Sequence, residues 1–169
     1  MTHPLVTQLY FTRSEFQRAL EGLTDAEARQ RFEPMNCTSW MVGHLACQEQ
    51  NYWLTRAQGQ IILPEINELG FGKPASAPPL EEMWQAWHTI TQAAEPYLNS
   101  LTTDMLTTHM VVDGKQHPES IGSMLRRCTY HYWYHLGESQ AVRQLLGHKD
   151  LPTFVGAIHQ EAPYTPENA

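Results

Sequence analysis

Apolar side chains recur along most of this chain at helical rather than strand spacing, and the breaks between those stretches leave four long segments. Over residues 3–20, Leu5, Leu9, Phe16 and Leu20 fall on one line, with Tyr10 and Arg13 off it, which predicts an amphipathic helix. Thr24, Asp25 and Glu27 begin a short acidic turn or helix that Pro34 closes, and a loop follows through Asn36 and Cys37. The second long stripe, over residues 39–57, runs Trp40, Met41, His44, Leu45, Gln48, Asn51, Tyr52, Thr55, with Thr38 or Ser39 placed to cap it. Residues 59–79, with Pro64, Gly70, Gly72, Pro74, Pro78 and Pro79, are too punctuated for a helix and read as a long connector, an inert surface loop or a wall for a pocket.

Helical spacing resumes over residues 80–101 with Met83, Trp84, Trp87, Ile90, Ala94, Leu98 and Leu101, behind Glu81 and Glu82 in the dipole-favoured first turn. The two tryptophans are expected in the core or an interface rather than stacked on a ligand, and His88 beside them is given no role. Asp113-Gly114 marks a turn in a brief extended excursion over 102–117. The longest helix is predicted over residues 118–147, with Pro118 at its first position, Glu119 in its first turn and Gly147 as its stop. Its stripe is Ile121, Met124, Leu125, Cys128, Tyr132, Leu136, Ser139, Val142, Leu145 and Leu146. Residues 1–150 are thus one all-α domain, a four-helix bundle. Residues 151–169 form a tail in which Phe154, Val155 and Ile158 are able to pack back, while His159 there and His148 just before it are expected to face solvent.

Two polar rings interrupt the longest stripe. His131 and His135 are four residues apart, so their imidazoles lie one above the other and can converge on one ion. With nine histidines in 169 residues an HxxxH spacing arises readily by chance. Its weight comes from position, because burying two imidazoles costs desolvation unless something pairs with them. The stripe over 39–57 is likewise unusually polar, and His44, Gln48 and Asn51 in register suggest a wet or metal-bearing pocket. The plainer alternative for all three histidines is a buried ring satisfied by hydrogen bonds. Three imidazoles from two helices would leave coordination positions open for substrate, and neutral imidazole suits zinc, nickel, iron or copper.

A formal net charge of −7 and a pI near 5.7, without a Lys/Arg run, argue against nucleic acid or an anionic membrane as partner. No signal peptide is expected at the start, and no apolar run reaches the roughly 18 residues that span a bilayer. Cys37, Cys47 and Cys128 lack CxxC spacing, which fits free thiols and a cytoplasmic location. A di-iron carboxylate site is excluded because the chain has no Glu-x-x-His, and HYWYH lacks the glutamate of a zincin protease.

The segments SWMVGHLACQEQNYWL and HYWYHLGESQAVRQLLG together resemble the DinB/YfiT-like superfamily of metal-binding four-helix bundles, over roughly residues 3–147. The resemblance implies that His44, His131 and His135 bind a divalent metal, zinc or nickel foremost and iron next. It also implies a small-molecule substrate, a homodimer, and, for the better-understood relatives, thiol-dependent transfer or isomerisation with a small thiol cofactor such as bacillithiol or mycothiol. At Leu136 and Glu138 the chain departs from many relatives, which carry a basic residue and then a glutamine there. Glu138, three residues after His135, is a candidate catalytic residue, either orienting that histidine or accepting a proton; alternatively it solvates the rim or pairs with Arg143. Gln48 and Asn51 are candidates to position a polar substrate. Cys47 and Cys128 each lie one turn from a histidine and are expected as buried thiols rather than ligands. Two functions follow: a metal-dependent transferase or hydrolase, or a non-catalytic metal-stabilised module for binding or dimerisation.

Overall fold

The computed structural model describes residues 2–166 and is all-α apart from one hairpin. Helix α1 spans Pro4–Leu20. The one-turn helix α2 (Asp25–Arg29) is held by a reciprocal capping box between Thr24 and Glu27, and Asp25 in turn accepts from the backbone N–H of Leu80 at 2.8 Å. Helix α3 (Thr38–Glu49) runs on into a widened, π-type stretch over Gln50–Arg56. Helix α4 covers Leu80–Asn99 and α5 Thr103–Thr107. Strands β1 (His109–Val112) and β2 (Lys115–Ser120) pair antiparallel, and Asp113 (φ 51°) with Gly114 (φ 73°) supplies the two left-handed residues of a tight hairpin turn. Helix α6 spans Ile121–Leu145 and α7 Ile158–Glu161. Among the described residues no helix is long and apolar enough to cross a membrane.

The four long helices share one core, α1 packed along α6 and α3 along α4, with α3 also reaching α6. Several boundaries move. The longest helix starts at Ile121 rather than Pro118, because Pro118 and Glu119 are taken into β2 and Ser120 caps the helix, accepting from Ser123 N–H at 3.2 Å. Gly147 (φ 86°) does end it. Its N–H reaches the Gln144 carbonyl and that of His148 the Arg143 carbonyl, the paired bonds of a Schellman turn. Helix α3 begins one residue early, so Cys37 occupies the cap and Thr38 and Ser39 are buried in the first turn.

Helix α3 also breaks the amphipathic expectation. Every residue from Thr38 to Cys47 is buried, because α2, α4, α6 and the connector enclose it. Beyond Glu49 the widened turns shift the register, so Gln50, Trp53 and Leu54 face inward while Asn51 and Thr55 are only half-buried. Gln50 uses its burial. Its side-chain oxygen accepts from the N–H groups of Ile62 and Leu63 and its amide donates to the Leu63 carbonyl, pinning the connector to the helix. That connector is not featureless, since Pro64–Leu69 forms a 3-10 helix.

Charge is buried where the stripes predict apolar residues. Arg143 lies inward and donates to the Ala19 carbonyl and to His148, whereas Leu145 is 57 % exposed. His148 is half-buried between Arg143 and Glu27 rather than solvent-facing. Of the three tail residues expected to pack, Phe154 does, against Trp133 and the Arg18 guanidinium, while Val155 and Ile158 stay exposed; the tail is also held by Gly156 N–H to Glu15 and by the Gln8 amide to the carbonyl of the buried Ala162. A chain of buried polar bonds joins all four long helices. Trp87 Nε1–H (α4) donates to Tyr132 Oη (α6) at 2.6 Å, and Tyr132 O–H donates to Glu49 Oε1 (α3) at 2.9 Å. Arg13 (α1) grips the same carboxylate with both arms at 2.8 and 2.6 Å.

Candidate metal centre

Three imidazoles meet between α3 and α6. His44 Nε2 lies 3.2 Å from His131 Nε2, and His135 Nε2 lies 3.0 Å from the same atom. All three offered nitrogens fall within 4.8 Å of one another. Each ring's other nitrogen faces an oxygen acceptor. His44 Nδ1–H donates to the Leu69 carbonyl at 2.7 Å, His131 Nδ1–H to Gln48 Oε1 at 2.7 Å, and His135 Nδ1–H to Glu138 Oε2 at 2.8 Å. Those acceptors fix the tautomer, leaving on every Nε2 a lone pair aimed at the shared centre. Three lone pairs so close repel unless a cation lies among them.

The spacing fits such a cation. Nitrogens held about 2.0–2.1 Å from one ion stand about 2.8–3.4 Å apart for angles between right and tetrahedral, and the two closest pairs here fall in that window. Burial, then the charges of His135, His44 and Arg127, lowers the His131 pKa to about 3. Burial also lowers that of His44, against the opposing bond to Leu69. Both rings are therefore neutral near pH 7, the form that ligates.

Local sequence explains the placement. Trp40, one turn ahead, stacks flat on His44 with ring centroids 4.4 Å apart, which locks that imidazole's rotamer. Gly43 removes a side chain where Leu69 closes in, since a Cβ there would stand 2.2 Å from Leu69 Cδ1 and 2.5 Å from Met83 Sδ. That close approach brings the Leu69 carbonyl to His44. Gly43→Ala is expected to cost about 1–3 kcal/mol of stability by overpacking and to weaken metal binding together with it. Thermal melts with and without zinc check this, and an unchanged melting temperature in both would remove the glycine from the account.

The remaining candidates divide. Glu138 sits behind His135, on the Nδ1 side away from the shared centre, while Arg143 is engaged elsewhere. Gln48 turns its oxygen to His131. Asn51 donates to Cys47 Sγ at 3.4 Å and lines the adjoining cleft. Cys128 is wholly buried and Cys47 nearly so, and burial raises both thiol pKa values, so neither joins the three nitrogens. The Leu69 carbonyl was not foreseeable, because a backbone acceptor leaves no mark in the sequence.

A cleft of about 780 Å³ opens beside His44 and His131, walled by Gln48, Asn51 and Tyr52, by Gly70 and Phe71 of the connector, and by three arginines. A larger groove of about 950 Å³ between α1 and α4, lined by Trp84 and His88, includes none of the three histidines. No curated protein matches the chain. The sequence profile of the DinB superfamily matches residues 8–139, a span that contains all three histidines, and the chain therefore belongs to that superfamily.

Proposed function

We propose that this protein is a metal-dependent enzyme built on a DinB-type four-helix bundle over residues 1–150, with His44, His131 and His135 holding one divalent ion. The observation that carries this reading is the convergence of three Nε2 lone pairs, each fixed by an oxygen on the far side of its ring. Zinc or nickel is the proposed ion and iron the next, on the resemblance to metal-binding bundles of the superfamily, all three being suited to neutral imidazole. A bound ion would supply Lewis acidity to a water, a thiol or a substrate carbonyl. The protein's own residues do the rest. Gln48 and Glu138 act as positioning residues for His131 and His135, while Asn51, Tyr52 and Phe71 shape the cleft that admits a small molecule.

The reaction class is thiol-linked transfer or hydrolysis, in keeping with an open three-nitrogen site beside a solvent-reached cleft. A cytoplasmic location is supported by three free buried cysteines, and a homodimer by the half-exposed Trp84 face of α4. Elemental analysis of protein purified without chelator or affinity tag is expected to find one divalent ion per chain. A chain free of metal, and unable to take up zinc or nickel, sinks the proposal. Metal-dependent turnover of thiol conjugates or esters then separates an enzyme from a structural module.

Removing the oxygens behind the rings tests the same centre more finely. Gln48→Leu and Glu138→Leu are each expected to weaken metal affinity roughly 10–100-fold, the usual effect of losing such a partner. Competition against a chromophoric chelator reads this directly. Full affinity in both variants would leave the rings positioned by packing alone.

A further inference from the structure

The cleft reverses the charge of the molecule around it. The chain carries a formal −7, yet Arg56, Arg126 and Arg127 line this one opening with Glu119 as the sole acidic lining residue. Arg127 lies one helical turn before His131 on α6, and its charge reaches that ring. Arg56 comes from the end of the widened stretch of α3, its guanidinium 4.9 Å from the Tyr52 ring centroid. Glu119, the last residue but one of β2, meets Arg127 in a forked ion pair, with Arg127 Nε 2.9 and 3.0 Å from its two oxygens. The hydrogen bond from Arg127 comes first, with the charges of Arg127, His117 and Arg56 behind it and burial opposing; together they hold the Glu119 carboxyl below the usual carboxylate range. An oxyanion of this chain thus already sits where two guanidinium groups can reach it.

Apolar contact is offered at the same mouth. Phe71 is 98 % exposed between Gly70 and Gly72, the latter at φ 80°, and Tyr130 is 67 % exposed on α6. Both rings line the cleft although neither contributes to the core. Aromatic faces left in water beside a cluster of guanidinium groups suit a ligand with an apolar body and an anionic head.

We propose that this cleft binds a small organic oxyanion, a carboxylate or phosphate on an aromatic or apolar body, gripped by Arg56 and Arg127, with Glu119 as an internal competitor for the same grip. The inference rests on reading the cleft as the substrate site of the metal centre, and it names the class of substrate. The anionic head lies at the arginines and the body extends along Phe71 and Tyr130. Glu119 lowers affinity for a weak anion, so that only a ligand offering two oxygens in its place displaces it.

Calorimetric titration of the zinc-loaded protein with phenyl phosphate, benzoate, inorganic phosphate and neutral benzyl alcohol tests this. At least one aryl anion is expected to bind roughly tenfold or more tightly than the alcohol, and the tighter of the two assigns the head group. Arg56→Gln and Arg127→Gln should each weaken that anion about tenfold at unchanged zinc content. Glu119→Gln should tighten it several-fold, and Phe71→Ala should weaken the aryl anion while sparing inorganic phosphate. Equal binding of anion and alcohol, or wild-type affinity in both arginine variants, overturns the proposal. So does binding that disappears in His131→Ala but survives in the arginine variants, since the anion would then sit on the metal. If the protein takes up no metal yet still binds the anion through its arginines, the metal-enzyme reading fails while this one stands.

Discussion

His131→Ala is expected to abolish stoichiometric metal binding while leaving the metal-free protein at least as stable as the wild type. His131 is the hub of the centre, the one ring whose Nε2 lies within 3.2 Å of both others. Without it two nitrogens remain, from different helices. The unusual part is the sign of the stability change. In the metal-free wild type three lone pairs crowd one point, so deleting one relieves repulsion, and the half-buried position limits the cavity left behind. With zinc at 100 times its dissociation constant the wild type gains about 2.7 kcal/mol, and the variant gains almost nothing. Melts with and without zinc should therefore cross, the variant level or higher without metal and clearly lower with it. A variant that retains one equivalent of zinc would refute the assignment of His131.

The second large effect lies one residue away on both helices. Glu49→Ala is expected to cost about 3–5 kcal/mol, the usual consequence of stranding a buried charge. Glu49 is fully buried and accepts from Arg13 and Tyr132. Burial disfavours the Arg13 charge, and the Glu49 carboxylate overrides it, so the guanidinium pKa is raised. Removing the carboxylate leaves Arg13 without its counter-charge and Tyr132 O–H without its acceptor. Replacing the pair together, as Arg13→Met with Glu49→Leu, should recover the share owed to the stranded charge, because apolar side chains of similar size need no partner, while the unpaired Tyr132 O–H still costs about 1–3 kcal/mol. Urea denaturation of the three variants reads this. A single-variant cost under about 1 kcal/mol, the range of an exposed ion pair, would show that the four helices do not depend on the network. Gln48 bonds His131 and the next residue, Glu49, bonds Tyr132, so two adjacent rungs join α3 to α6. Loosening the dry rung should also weaken the metal-binding one.

How much of this could be read from the sequence depended on which atoms do the work. The histidines were legible because HxxxH and the tryptophan one turn before His44 are side-chain patterns at helical spacing, and Glu138 followed from its three-residue offset. Gln48 was read as a substrate contact, and it does line the cleft; its bond to His131 is the part that the sequence did not reveal. The buried ion pair was hidden, since an amphipathic reading sends Arg13 off the apolar line and assigns Glu49 nowhere; only the four-way contact of α1, α3, α4 and α6 gives them a dry partner. The connector was hidden too. Its prolines and glycines spoke for a loop, while its contribution is a backbone carbonyl and a short 3-10 turn held by Gln50.

The widened stretch over Gln50–Arg56 lies between the two chemistries that α3 serves, His44 before it and Arg56 at its end. Each residue advances an ordinary helix by about 100°, so gaining or losing one position inside that stretch would swing Arg56 out of the cleft while His44 and Gln48 stayed where they are. One helix thereby carries an indexing joint. The end that carries His44 and Gln48 would stay in fixed register with α6, while the cleft-facing end would turn to present a different side chain, so that such a change would alter the cleft without disturbing the three-histidine cluster.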